Sequence, residues 1–251
     1  MRIITVNIQK GGSAKTTTVQ ASAEILSKKY NKRILCIDTD PQCNLTSASG
    51  IDPADCEIDL SDVLKGEANI NHAIIHSKYY DIIPSSILLA SADSMFTSIG
   101  KEHLLKEKLH ELQETYDYIL IDTAPALSLL NVMALTAATD VIVPLEPSRF
   151  AMQGMNQLNE SIKLTRSYFN QNLNILGLLL IKYKGHTNLN RTVLDNIPHV
   201  AAQMETKVFN TQIRESIRIG ECQLLGTPIT DEKSNATEDY ENFVKELMEE
   251  L

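Results

Sequence analysis

Arg2-Ile-Ile-Thr-Val-Asn-Ile-Gln-Lys-Gly-Gly-Ser-Ala-Lys-Thr-Thr-Thr18 is the stretch that decides how the rest of the chain is read. Its β-branched apolar run (Ile3, Ile4, Val6, Ile8) predicts a strand. A glycine pair and a lysine follow, and three threonines then open a helical pattern. Strand, loop and helix in this order make an anion site. Successive backbone N–H groups form a nest, and the helix N-terminus adds unpaired donors and partial positive charge. Gly11 and Gly12 let the backbone approach phosphate oxygens, Lys15 is spaced to reach the β- and γ-phosphates, and the Thr16 hydroxyl suits a Mg²⁺. The expected ligand is a nucleoside triphosphate. Gln9 and Ala14 stand where G-x-x-x-x-G-K-[ST] has glycine. Alanine just before Lys15 predicts that this position avoids the left-handed region, where a side chain is costly.

Two further strands end in carboxylates. Arg33-Ile-Leu-Cys-Ile-Asp-Thr-Asp-Pro-Gln42 is a buried run that stops at Asp38 and Asp40, and Tyr116-Asp-Tyr-Ile-Leu-Ile-Asp-Thr-Ala-Pro125 stops at Asp122. A strand–loop–helix–strand beginning implies a parallel sheet whose ligands collect at the strand carboxyl ends. The expected fold class is therefore α/β: a mostly parallel twisted sheet with helices on both faces, in one domain spanning residues 1–251. Residues 80–84, 139–147, 174–181 and 208–213 read as further strands. Helical patterns cover about 17–29, 100–115 and the acidic segment from about Glu238, with loop and short helices over 43–77. His103 and His110 sit among charges and read as surface residues.

Composition narrows the classes. No run of about 18 apolar residues predicts a membrane-spanning helix, and the start lacks the basic, apolar and cleavage regions of a leader, so a cytoplasmic protein is expected. Cys36, Cys43, Cys56 and Cys222 show no C-x-x-C pair or zinc spacing. The net charge of −9 is uneven. Residues 231–251 carry eight acids against two bases, while residues 149–222 carry nine bases against five acids. Local field governs binding more than the total does.

The order K-G-G-S-A-K-T, D-T-D-P-Q and Ile121-Asp-Thr-Ala-Pro125 resembles the ParA/MinD family of P-loop ATPases, whose deviant Walker A form is K-G-G-x-[GA]-K-[ST]. Val63-Leu64-Lys65-Gly66, Ser148 to Met155, Gly185 to Leu189 and Arg214 to Glu221 extend the likeness over nearly the whole chain, to the small ParA type without an additional DNA-reading domain. The resemblance implies ATP and Mg²⁺ as ligands and weak ATPase activity. Lys10, Gly11, Gly12, Ser13, Ala14, Lys15, Thr16 and Thr17 would bind the nucleotide, with Arg214 and Glu215 beside the adenine. Thr16, Asp38 and Asp122 would serve the metal, and Asp40 would orient the attacking water. Lys10 would cross the interface of an ATP-sandwich homodimer, and so joins Lys15 and Asp40 among the expected catalytic residues.

The implied output is nucleoid association through non-specific DNA binding, reset by a ParB-type partner, with Arg218 as the principal contact and Lys182, Lys184, His186 and Arg191 extending the patch. Surface bases are more often merely solvated, so these five are candidates by position alone. The rival readings are a MinD-type membrane regulator, an ATPase that positions a protein cluster, and a metabolic ligase of the same superfamily. A membrane-binding helix needs bases on its polar face, whereas Glu241-Asn-Phe-Val-Lys-Glu-Leu-Met-Glu-Glu-Leu251 is acidic; no membrane partner is expected.

Overall fold

The computed structural model describes residues 1–113, 115–147, 151–183 and 188–251; for 151–153, 183 and 188–195 only the backbone is described. Eight strands form one sheet: β1 (Arg2–Val6), β2 (Ile34–Asp38), β3 (Ile75–His76), β4 (Asp81–Ile83), β5 (Tyr118–Asp122), β6 (Asp140–Leu145), β7 (Asn174–Tyr183) and β8 (Val208–Arg214). Their order is β3-β4-β2-β5-β1-β6-β7-β8, parallel throughout except for the β3–β4 pair at the edge. The α/β architecture matches the expectation, and β3, too short to carry a pattern, is an addition to it.

Alternation along the central strands builds the two faces. Ile4, Val6, Ile34, Cys36 and Leu120 point to one side, where they meet α1 (Lys15–Tyr30) and, later in the chain, α9 (Ile217–Leu225) and α10 (Asn235–Glu250). Ile3, Leu35, Ile37, Ile119 and Ile121 point to the other, under α3 (Leu60–Lys65), α5 (Leu104–Leu109) and α6 (Leu129–Ala137). Past β1, Val141, Val143 and Leu178 pack against α7 (Ala151–Tyr168) and α8 (Asn188–Gln203). The short α2 (Asn44–Ala48) and α4 (Ala92–Met95) fill the loops on the β2 side.

The expected helix over 100–115 shrinks to the six residues of α5, preceded by a single 3-10 turn. Only Leu105 and Leu109 of its leucines are fully buried, so packing rewards little more than one turn. Conversely, α6 had no two-sided pattern to announce it, because almost all of its residues are buried. Asp59 closes a capping box at the start of α3. His103 packs edge-on against Phe169, and His110 is exposed.

The turn after α9 presses its backbone onto the end of α2. Gly226 has φ +61°, and a Cβ there would sit 2.6 Å from the Gly50 Cα. Neither backbone can give way as a flexible side chain would. Gly226→Ala should therefore lower stability by about 2 kcal/mol or more, measured as a reduced urea midpoint. Gly66→Ala, at φ +79° with open space around it, should cost only about 1 kcal/mol.

Candidate functional site

Strand register brings the acidic ends together. Asp122 of β5 pairs with Val6 of β1 on one side and with Asp38 of β2 on the other. The loop leaving β1 therefore begins beside two carboxylates. It borders a cavity of about 850 Å³ lined by Gly11 to Thr17, Asp40, Gln42, Lys182, Arg214, Glu215 and Tyr240, among others.

The loop is wound around one carbonyl. The Ser13 hydroxyl donates to Lys10 O at 2.8 Å, and the Lys15 ammonium donates to the same oxygen at 3.2 Å. Gly12 takes φ +69°. Ala14 also lies in the left-handed region, at φ 52°, ψ 30°, and this corrects the expectation that alanine would keep the position out of it. The strain is held by helix start contacts: Ala14 O accepts from Thr18 N at 2.9 Å and from the Thr18 hydroxyl at 2.7 Å. Tertiary constraint thus overrides the residue's own preference.

Lys15 is buried, and desolvation lowers its pKa against the pull of Asp122 and Asp40. The Thr16 hydroxyl donates to Asp122 Oδ2 at 2.6 Å. The other oxygen of Asp122, Oδ1, is buried with no hydrogen-bond partner among the described residues. A hydroxyl and an orphaned carboxylate oxygen side by side suit a hard divalent cation. Asp38 differs. Its Oδ2 accepts from Thr46 N at 2.9 Å and the Thr46 hydroxyl at 2.8 Å, and its Oδ1 accepts from Asp40 N at 3.1 Å. Both oxygens are engaged within the chain, so Asp38 shapes the site from behind. Asp40 reaches the cavity, with Oδ1 accepting from Gln42 N at 2.9 Å.

Lys10 pairs with Glu146 Oε2 at 2.7 Å, within its own subunit. Thr17 lines the cavity and donates to Gln223 Oε1 at 3.2 Å, tying α1 to α9. Arg214 also lines it, with its guanidinium bound to both oxygens of Asp239 at 2.6 and 2.8 Å, and Glu215 follows. Arg218 lies outside the cavity on α9, exposed, 3.8 Å from Glu232. Lys182, expected on an outer basic patch, lines the cavity instead, because its backbone at φ 51° turns it off the strand. Lys184 and His186 lie outside the described residues, as does the Arg191 side chain; so do residues 148–150 and 185–187 of the likeness segments. Sequence reasoning missed Gln223 and Tyr240 as lining residues, since both come from the far end of the chain with no motif around them.

Burial raises the pKa of Asp122 to about 8, with repulsion from Asp38 adding to it; burial likewise raises Asp38 to about 6. A group whose folded pKa exceeds its unfolded value stabilises the fold at low pH and loses that contribution as pH rises through the folded pKa. The ligand-free protein should therefore lose thermal stability between about pH 4 and pH 8, and Asp122→Asn should flatten that slope in melts across the range. A second expectation concerns the loop. Ala14→Gly should raise the urea midpoint by the equivalent of up to about 1 kcal/mol, because glycine meets the left-handed conformation without strain.

Known proteins resemble this chain along its length. A family model described as an AAA domain matches residues 1–175. The sporulation initiation inhibitor protein Soj of Bacillus subtilis (strain 168) is 36% identical over 251 residues, covering 98% of each chain. A ParA family protein of Chlamydia trachomatis serovar D is 35% identical over 257 residues, 99% of this chain and 98% of that one. Among solved structures, a cobyrinic acid a,c-diamide synthase from Mycobacterium smegmatis with bound ATP analog and magnesium matches with TM-score 0.85 at 32% identity, over 99% of this chain and 94% of that one. A plasmid partition protein from Borrelia burgdorferi matches with TM-score 0.79 at 26% identity, over 100% and 99%.

Proposed function

This chain belongs to the ParA family of P-loop ATPases, and from that premise we propose that it is a DNA-partition ATPase whose ATP-bound homodimer holds DNA non-specifically until a ParB-type partner stimulates hydrolysis. The observation that carries the reading is that Lys15, Thr16 and Asp40 line one cavity at the carboxyl ends of β1, β2 and β5, with Asp122 bonded to the Thr16 hydroxyl behind it.

ATP is the substrate. Phosphoryl transfer demands positioning and neutralisation of charge on the phosphate oxygens more than covalent help from the protein. Thr16 and the unpartnered Asp122 oxygen would hold Mg²⁺, which when bound supplies positive charge at the phosphates. Lys15, buried and largely desolvated, offers its ammonium at the same end of the cavity, and the loop N–H groups complete the anion site. Asp40, the carboxylate at the cavity wall, would orient the attacking water. Lys10 is the arm that would cross to the partner subunit. Its present pairing with Glu146 is partly exposed, with side chains 23% and 34% accessible, so releasing it costs little.

The tail argues against a membrane track. The apolar face of α10 (Tyr240, Phe243, Val244, Leu247) is buried in the domain's own core, which leaves acids outward. No helix among the described residues is long and apolar enough to cross a membrane. Arg218, exposed on the positively charged half of the chain, is the leading phosphate contact.

Retention of the purified protein on DNA should require ATP, fail with ADP or no nucleotide, and fall steeply with salt as counterions are released. Arg218→Ala should weaken it and reduce the salt slope by about 1 for each subunit of the dimer. Lys10→Ala should still bind nucleotide yet form no ATP-dependent dimer by light scattering. Dimers that form with ATP but never hold DNA would refute the DNA track and leave a protein cluster as the surface.

A further inference from the structure

We propose that Lys182 is a ligand of the nucleotide's phosphate chain, a cationic arm delivered from β7 to the phosphate loop. The assignment rests on the reading of the cavity as an ATP site and extends it to a residue outside the loop motif.

Three observations converge on it. Lys182 sits at φ 51°, one of five non-glycine residues at positive φ among those described. An L residue in a strand has no local reason to adopt that conformation, and such strain concentrates where a side chain must be aimed. The pairing of β7 with β8 shifts register between Leu180 and Tyr183, around this residue. Irregularities of this kind redirect side chains. The side chain then runs inward: a Cβ built on Gly12 would lie 3.9 Å from the Lys182 ammonium. A basic residue serving an outer DNA surface would need neither the backbone turn nor the inward course.

The charge inventory of the cavity supports the same role. Its lining cations are Lys15, Lys182 and Arg214. Lys15 is held by the Lys10 carbonyl within the loop. Arg214 is neutralised by Asp239, which takes two of its nitrogens and its backbone N–H. Lys182 has no hydrogen bond or ion pair with any described residue and faces the loop's anion nest. An ammonium so placed, beside backbone donors arranged for phosphate, is complementary to a polyanion. The adenosine end of the nucleotide would gain nothing from it.

Calorimetric titration of the full chain with ATP and with ADP, in Mg²⁺, tests this. Lys182→Met keeps the length and removes the charge. It should weaken ATP binding about ten- to a hundredfold, the loss expected for one charge-assisted hydrogen bond. It should also make the affinity less sensitive to salt, while the melting temperature of the nucleotide-free protein stays unchanged. Lys182→Arg should return affinity to within about threefold of wild type. Lys182→Gly should bind as poorly as Lys182→Met yet melt no lower than wild type, because glycine relieves the backbone strain. Wild-type binding together with an unaffected Lys182→Met variant overturns this assignment alone, and so does an unaffected variant that loses only DNA retention. Failure of Lys182→Arg to recover affinity would mean that packing, not charge, is at work, and would overturn it too. A wild-type protein that does not bind ATP overturns the ATPase reading and this assignment with it.

Discussion

Two carboxylates set directly across from each other on neighbouring strands, both fully buried, are the constraint around which this structure is arranged. Burying like charges together is costly, and the structure offsets it locally in different ways on the two sides. Asp38 receives three donors from its own chain, two of them from Thr46, and that demand places α2 beneath β2. Asp122 receives only the Thr16 hydroxyl and keeps one oxygen without a partner. The asymmetry separates the two: both oxygens of Asp38 are engaged by its own chain, whereas Asp122 keeps a buried oxygen for which the described residues supply no donor. Lys15, buried in the same region, supplies a positive charge that acts on Asp122 and Asp40.

The loop between β1 and α1 answers to the same region. Its turns at Gly12 and Ala14 let Ser13 and Lys15 fold back onto a single carbonyl, and they aim the start of α1 at Asp122. That arrangement leaves Lys10 at the rim with its ammonium on Glu146, a contact exposed enough to exchange for a stronger anion. The site is thus preformed on the side of Lys15 and Thr16 and adjustable on the side of Lys10. Lys182 reaches in from β7 towards the same loop, opposite the loop's own lysines.

The acidic tail shows how charge counted along a sequence misleads about where charge acts. Asp239 is bound to Arg214, and Glu246 accepts from Asn210 N, Thr211 N and the Thr211 hydroxyl, sealing the outer edge of β8. These acids of α10 are fasteners for the last strand. Because the apolar side of the helix is buried as well, the segment completes the wall of the cavity through Tyr240, whose hydroxyl lies 3.3 Å from that of Thr18.

What the sequence determined by itself was the central βαβ frame, the phosphate loop and the strand-end acids Asp38, Asp40 and Asp122. Those features are local: β-branched runs, a glycine pair and a carboxylate at the end of an apolar strand each carry their meaning within about ten residues. Helix α6 escaped because a helix buried on nearly all sides has no polar face to mark its period. The short α5 was overstated because leucine spacing does not say how many turns packing will reward. Only the tertiary structure decided that Ala14 turns left-handed, that Asp38 is saturated by Thr46, that Arg214 is bound to Asp239, and that Lys182 points into the cavity. Each of those depends on a partner brought near by the sheet from elsewhere in the chain, and no local preference encodes a partner that distant.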